Sequence, residues 1–299
     1  MSNIKTVVAR GGIGLDISDT RYPVLQGATM VDSSHVTAAP NVTTALLLAA
    51  GMGTRLRPMT LDSPKCLTEV GGVPILKRLV NNLCAQGFKR LIVVIGHLGD
   101  RIQEFLKQHA GDMRVDYVIN PDYRTTNNIY SLWLARKQIR ESFLLVESDL
   151  VFETRMLNTM LQPDKMAISR ILPWMKGTTV ELGPDGRVTA FRMGADICND
   201  GRQYKTVNLY SFSLNSWSKI EQRLSRYISD GRLGEYYEAV FADMVADGAF
   251  SCDAIFFDEN RWYEIDTNAD LSMAENMFAR PRSIANRSLI DTGPPAPHV

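Results

Sequence analysis

The stretch that most constrains this chain runs Ala45-Leu-Leu-Leu48-Ala-Ala50-Gly51-Met-Gly53-Thr54-Arg55-Leu56-Arg57-Pro58-Met-Thr60 and continues to Pro64-Lys65. Residues Ala45 to Ala50 are uninterrupted and apolar, the pattern of a strand covered on both faces in a parallel sheet. Gly51 and Gly53 then let the backbone turn sharply and bring N–H groups close to a ligand with no Cβ in the way. Arg55, Arg57 and Lys65 put positive charge into the same loop, and Pro58 and Pro64 restrict its path. A glycine turn with fixed cations behind a buried strand predicts a triphosphate cradle. It is not a Walker loop, which needs Gly-Lys-Ser/Thr after the glycines. Nor is it a dinucleotide fingerprint, because Leu56 stands at the third glycine position.

The rest of the chain repeats the strand-then-helix pattern. Ile75 to Gln86 is helical by spacing, with Leu76, Leu79, Val80 and Leu83 on one face and Gly87 at its end. Leu91–Ile95, Val115–Ile119 and Phe143–Val146 read as further strands. Helices are expected over 100–109 and from Asn127 or Asn128 to Arg140, with one of the two asparagines as N-cap. Strands alternating with helices imply parallel pairing with right-handed crossovers, and ligands in such sheets bind beyond the carboxyl ends of the strands. The glycine loop and Asp149 both follow strands, so both are expected on that rim.

The second half changes character. Short strands are expected at 166–170, 178–181, 188–191 and 207–212, with a tight turn at Gly183-Pro-Asp-Gly186. Helices over 216–228 and 234–246, a strand at 252–257, the segment Trp262–Ile265 and a last helix over 268–278 complete the core. The predicted fold is α/β: a Rossmann-like mixed, mostly parallel sheet flanked by helices, with a smaller acceptor-binding subregion. Residues 1–43 read as an N-terminal extension without an assigned role. Residues 44–278 read as one domain with halves at 44–150 and 151–278, and the proline-containing stretch 279–299 as a loosely held tail.

Composition narrows the function classes. Lys plus Arg equals Asp plus Glu at 33 each, so no global field points to nucleic acid or an anionic membrane. Anion binding must therefore be local. Cys66, Cys84, Cys198 and Cys252 are far apart, with no Cys-x-x-Cys, which argues against a zinc site or disulfide framework. The chain start lacks a long apolar run, and no stretch approaches a membrane span of about 18 residues. The expectation is a cytoplasmic protein.

Leu-Ala-Ala-Gly-x-Gly-Thr-Arg-Leu-x-Pro-x-Thr, with Pro64-Lys65 four residues later, resembles the signature loop of the nucleotidyltransferases that activate sugar phosphates and phosphocholine. The resemblance extends over roughly residues 44–278 and implies the nucleotide-diphospho-sugar transferase fold. Asp149, after Phe-Leu-Leu-Val, stands where that family carries a magnesium-binding aspartate. Asp266, in Trp262-Tyr-Glu-Ile-Asp266, matches the C-terminal aspartate that completes the metal site. Taken alone, each aspartate is as well explained as a loop or helix-start residue. Glu147 stands where relatives often carry aspartate, which leaves the exact metal shell open.

The implied reaction is attack of an ionised phosphate or phosphonate oxygen on the α-phosphorus of a nucleoside triphosphate, with loss of pyrophosphate. The acceptor's second pKa is about 6, so no general base is needed. Mg²⁺ would bridge α-phosphate and acceptor. Arg55 and the Gly51–Gly53 amides would hold the departing pyrophosphate, and Lys65 would neutralise charge at the α-phosphate or the acceptor. Leu48, Ala50 and Thr54 complete the implied nucleotide-binding loop.

Asn120-Pro-Asp-Tyr123 and Thr126-Asn127-Asn128-Ile-Tyr130-Ser131 resemble the cytidylyltransferases for phosphocholine and 2-aminoethylphosphonate. That places Asn127, Asn128 and Ser131 at cytosine or ribose and favours CTP, although an N-cap role explains one asparagine equally well. Tyr204-Lys205-Thr-Val-Asn208 resembles the phosphonate-type members, whose lysine faces the acceptor's anionic group. For the acceptor's tail, Trp133, Trp174, Trp217, Trp262, Tyr130, Tyr236 and Tyr237 are candidates for a cation box, with core packing the alternative for each. Glu181 and Glu235 are candidates to pair with a substrate ammonium, with solvated surface as the alternative. A sugar-1-phosphate nucleotidyltransferase using another base and an inactive regulatory homologue remain competing readings.

Overall fold

A computed structural model describes residues 41–194 and 203–278. Most of the expected N-terminal extension, the tail after residue 278 and Cys198 lie outside the described residues.

The first part is a parallel unit. Strand β1 (Thr44–Ala49) is followed by a small hairpin of β2 (Glu69–Val70) and β3 (Val73–Pro74), then helix α1 (Ile75–Ala85). Strand β4 (Arg90–Ile95), helix α2 (Gly99–His109), strand β5 (Arg114–Ile119), helix α3 (Asn128–Ala135) and strand β6 (Phe143–Glu147) follow in alternation. β1 pairs in parallel with both β4 and β6, and β4 with β5. β1 is fully covered, as its apolar run predicts. Its side chains alternate between faces: Leu46 and Leu48 pack toward α3, Ala45 and Leu47 toward α1 and α2. α3 is shorter than expected, because its register opens into turns bonded to Trp133 and Ala135.

The second part is largely antiparallel. It contains β7 (Leu150–Phe152), β8 (Lys165–Ser169), β9 (Thr179–Leu182), β10 (Val188–Arg192) and β11 (Gln203–Phe212). Helices α4 (Leu214–Ser229) and α5 (Tyr237–Ala246), strands β12 (Asp253–Phe256) and β13 (Trp262–Glu264) and helix α6 (Asn268–Phe278) complete it. The main sheet has nine strands, with the path β10-β9-β11-β6-β1-β4-β5, β8 paired to β11 and β12 paired to β8. β11 joins the two parts: its end Leu209–Phe212 pairs with β6, and its start Gln203–Lys205 pairs with β9. It is ten residues long, whereas the apolar pattern alone marked only 207–212. Its ladder with β8 is irregular between Thr206 and Tyr210, where Asn208 adopts φ 57°. This bulge re-aims side chains at the edge of a cleft.

The ribbon of β7 and β13 lies off the main sheet. Leu56, Val70, Ile75, Val151, Tyr263, Ile265 and Ala274 form a small core that fastens the glycine loop, the ribbon and α6 together. Leu56 is fully buried in it, which explains why this position is not a third glycine. Among the described residues no helix is long and apolar enough to cross a membrane.

Candidate active site

The chain leaves β1 through Ala50 and turns at Gly53, which adopts φ 58°. A Cβ there would lie 3.0 Å from Lys65 Cβ and 3.1 Å from Thr60 Cγ2, so both backbone conformation and space call for glycine. The Thr60 hydroxyl donates to the Gly53 carbonyl at 2.7 Å and closes the loop on itself. His97 stays outside the site, its Nε2 3.3 Å from the Thr60 carbonyl.

β6 ends in Glu147-Ser-Asp149, and β13 runs into Glu264-Ile-Asp266. The Ile265 amide donates to the Asp149 carbonyl at 3.0 Å, which sets the two Glu-x-Asp segments side by side. Alternation then sends Tyr263 and Ile265 into the small core, while Glu264 and Asp266 face the cleft. Lys65 Nζ lies 2.7 Å from Asp149 Oδ2 and 2.7 Å from Asp266 Oδ1, and Arg55 reaches Asp266 Oδ1 at 2.7 Å. Burial alone would lower the Lys65 pKa, but the two carboxylates outweigh it and hold the ammonium above the usual lysine range. Burial works to raise Asp266, yet Lys65 and Arg55 keep it below the ordinary carboxylate value.

Beside this ion-pair network lies a more acidic group. Glu147, Asp149 and Glu264 each bring a carboxylate oxygen to within 4.8 Å of the others. Glu264 accepts from Lys205 at 3.2 Å and from the Asn208 amide at 3.3 Å. Glu147 accepts from Asn128 Nδ2 at 3.0 Å, while Asn128 Oδ1 accepts the Tyr237 amide at 2.9 Å and so ties β6 to the start of α5. Burial raises the Glu147 carboxyl well above its usual value, reinforced by Asp149, Glu238 and Glu264. Burial likewise raises Glu264, against the pull of Lys205. Asp149 Oδ1 is buried without a hydrogen-bond partner. An unpartnered hard oxygen among clustered carboxylates fits a divalent cation of the magnesium type.

All these groups line one cleft of about 500 Å³. The candidates for the nucleotide loop, the metal pair and the acceptor lysine border it: Leu48, Ala50, Gly51, Gly53, Thr54, Arg55, Lys65, Asn127, Asn128, Ser131, Asp149, Lys205 and Asp266. Several already hold partners within the protein. Asn127 caps α3 through the Asn128 amide, and Ser131 accepts from Asn120 at 3.0 Å. Of the expected metal pair, Asp149 belongs to the three-carboxylate group, whereas Asp266 is engaged by Arg55 and Lys65.

The sequence profile of the MobA-like NTP transferase domain matches residues 45–170, which hold the glycine loop, Lys65 and Asp149. The chain carries a nucleotidyltransferase domain of this type. Over 248 residues it is 32% identical to the CMP-5'-(3-aminopropyl)phosphonate synthase of Streptomyces rubellomurinus, a match covering 80% of this chain and 39% of that protein. Over 242 residues it is 27% identical to the choline-phosphate cytidylyltransferase of Streptococcus pneumoniae, covering 78% of this chain and 97% of that protein. The chain thus spans well under half of the first relative and nearly all of the second. The CTP:phosphocholine cytidylyltransferase structure from Streptococcus pneumoniae superposes with a TM-score of 0.69 at 21% identity, over 79% of this chain and 99% of that one. The resemblance to the phosphonate and phosphocholine branch of the nucleotidyltransferases agrees with these relatives.

The side of the cleft formed by β11, β13 and α5 differs from its expected composition. Trp217, Trp262 and Tyr237 are core residues, and Trp133 lies under the Arg136 guanidinium, 3.5 Å from its ring centre. Of the seven aromatic candidates only Tyr236 borders the cleft. Glu235 pairs with Arg232, and Glu181 with Arg192. Neither faces the cleft. The carboxylates that do face it from this side are Glu238 and Glu264. The repeated Glu-x-Asp at two strand ends was a signal for Glu264. Glu238, inside Tyr236-Tyr-Glu-Ala, carried none.

Proposed function

We propose that the chain is a divalent-cation-dependent cytidylyltransferase that moves CMP from CTP to a small phosphonate or phospho-alcohol and releases pyrophosphate. The observation that carries this reading is the Lys65 ammonium held 2.7 Å from both Asp149 and Asp266, next to the glycine turn at Gly53. That puts a positive charge between two carboxylates where the glycine loop meets strand ends. Catalysis of phosphoryl transfer by positioning and charge neutralisation needs this kind of preorganised field.

In this reading the amides of Gly51–Gly53 and the half-exposed Arg55 receive the β- and γ-phosphates, with Arg55 exchanging Asp266 for phosphate oxygens. Lys65 stabilises the charge that builds at the α-phosphate. The acceptor phosphonate is ionised near neutrality and attacks without a general base. Lys205 faces the acceptor's anionic group. Asp149 and Asp266 are the metal ligands we assign, with Glu147 and Glu264 available to complete the set. A bound Mg²⁺ there supplies charge neutralisation at the α-phosphate.

The test is pyrophosphate release with Mg²⁺, crossing CTP, UTP, GTP, ATP and dTTP with 2-aminoethylphosphonate, 2-hydroxyethylphosphonate, phosphocholine and glucose 1-phosphate. CTP-dependent release with a phosphonate or phosphocholine is expected. Release only with the sugar phosphate would move the chain to another branch, and silence throughout would overturn the reading.

A further inference from the structure

One carboxylate in the cleft takes no part in the chemistry described so far. Glu238 sits in the first turn of α5, is only 4% exposed and lines the cavity. Its Oε2 is buried without a hydrogen-bond partner. A buried carboxylate oxygen left unpaired costs stability unless a ligand or cation meets it. The two buried cations nearby are committed elsewhere. Lys205 is bonded to Glu264 and to the Thr206 carbonyl, and Lys65 to Asp149 and Asp266.

The charge balance points the same way. Glu147, Glu238 and Glu264 interact with one another at this end of the cleft, where Lys205 is the buried cation and Lys176, which also borders the cleft, is exposed to solvent. One divalent ion at Asp149 and its neighbours leaves Glu238 uncompensated. The aromatic lining rules on the kind of cation: Tyr123 and Tyr236 are the only rings bordering the cleft among the described residues. A methylated ammonium has no N–H to offer and depends on several aromatic faces. A primary ammonium has three donors, suited to an orphaned carboxylate oxygen.

We infer that Glu238 anchors the primary ammonium of the acceptor, and that the enzyme takes a short aminoalkyl phosphonate or phosphate in preference to its hydroxyalkyl or trimethylammonium counterparts. This rests on the cytidylyltransferase reading above and specifies its acceptor. The Tyr237 amide bonded to Asn128 holds the start of α5 against α3, so the Glu238 carboxylate is presented from a rigid turn rather than a loop.

The experiment measures kcat/KM with CTP and Mg²⁺ for 2-aminoethylphosphonate, phosphoethanolamine, 2-hydroxyethylphosphonate and phosphocholine, in the parent enzyme and in Glu238→Gln and Glu238→Asp. The two amino acceptors separate phosphonate from phosphate as the source of the anion. The parent is expected to favour an amino acceptor over the hydroxy and trimethylammonium ones by about tenfold or more, as sites built around a buried polar group reject ligands that leave it unpaired. Glu238→Gln is expected to collapse that ratio, and Glu238→Asp to restore part of it. Turnover with no preference for an amino group overturns the inference and leaves the cytidylyltransferase reading standing. A preference that survives in Glu238→Gln overturns the assignment to this residue. No turnover with any acceptor or nucleotide overturns both. Should Glu238→Gln fail to fold, the preference in the parent alone decides whether the ammonium site exists.

Discussion

The two ends of the cleft are built from opposite materials. On the side of the parallel strands, the glycine turn, Arg55 and Lys65 lie within one short run of sequence, and their cations satisfy the carboxylates they meet. On the side of β11, β13 and α5, Lys205, Asn208, Glu238 and Glu264 come from three separate elements, and the Glu238 Oε2 has no hydrogen-bond partner. The first end is already balanced and needs a ligand that can displace ion pairs. The second is unbalanced and needs a ligand that brings positive charge. A zwitterionic acceptor lying across the cleft would satisfy both demands.

The largest expected effect falls where the two ends meet. Asp149 belongs both to the Lys65 network and to the three-carboxylate group, and its Oδ1 has no protein partner. Asp149→Ala is expected to lower turnover by at least about a thousandfold, the scale of several kcal/mol of transition-state stabilisation. Near-parental pyrophosphate release in this variant would sink the metal assignment and with it the idea of a shared centre.

A second comparison concerns stability. Lys205 is 3% exposed and ion-paired to Glu264, whereas Arg55, paired to Asp266, has a side chain 66% exposed. Removing one member of a buried pair strands the other, at about 3–5 kcal/mol. An exposed pair is worth about 1 kcal/mol or less. Lys205→Met should therefore lower unfolding stability by several times the effect of Arg55→Met, read by denaturant titration. Lys205→Met with Glu264→Gln should recover much of the loss without recovering turnover. Equal destabilisation by Lys205→Met and Arg55→Met would remove the distinction between the two ends.

These differences explain what could be read in advance. The parallel part was legible because its signals are local: an apolar run marks β1, glycines mark the turn, and Leu76, Leu79, Val80 and Leu83 mark the buried face of α1. The site residues contributed by that part follow at once, since a loop after a parallel strand has one rim to lie on. The antiparallel part was legible as strands, and Lys205 and Asp266 were legible through the family resemblance, but its other cleft residues were not. Glu264 enters the cleft because β13 pairs with β7, a three-residue strand too short to show a pattern. Asn208 enters through a positive φ in mid-strand, which asparagine tolerates better than most residues but which its place in a strand pattern does not announce. Glu238 and Tyr237 are neighbours in an apolar helix, and only the packing of α5 puts one in the cleft and the other in the core. The aromatic candidates failed for the same reason: a large ring is valuable to a core first and to a site second.

The acidic end should also show itself in pH dependence. Burial pushes the Glu238 carboxyl up from its ordinary 4.5 to about 7, with Glu264 adding to the effect and Lys205 opposing it. Between those values the folded chain holds a proton that the open chain has released, so stability of the metal-free protein falls as pH rises through this window. Thermal midpoints taken below and above it are expected to drop with pH. Glu238→Gln, which cannot ionise, should flatten that drop. A parent midpoint that climbs across the same window would mean that the acidic end is compensated in a way its geometry does not reveal.

The smallest expected effect sharpens the contrast within one turn of chain. Glu235 and Glu238 lie three residues apart, and by sequence Glu235 was, with Glu181, a candidate for an ammonium partner. In the fold Glu235 bonds the Arg232 guanidinium with both oxygens, at 2.5 and 2.9 Å, on the exposed side of the turn before α5. Glu238 is buried, with its Oε2 unpartnered. A solvent-exposed pair of this spacing is worth about 0.3–0.5 kcal/mol, so Glu235→Ala should stay within about threefold of the parent in kcat/KM for every acceptor. If Glu235→Ala instead erased the preference for an amino acceptor while Glu238→Gln kept it, the ammonium would sit at the mouth of the cleft. The buried carboxylate would then serve the fold, and the acidic end would have to be read as structure rather than as specificity.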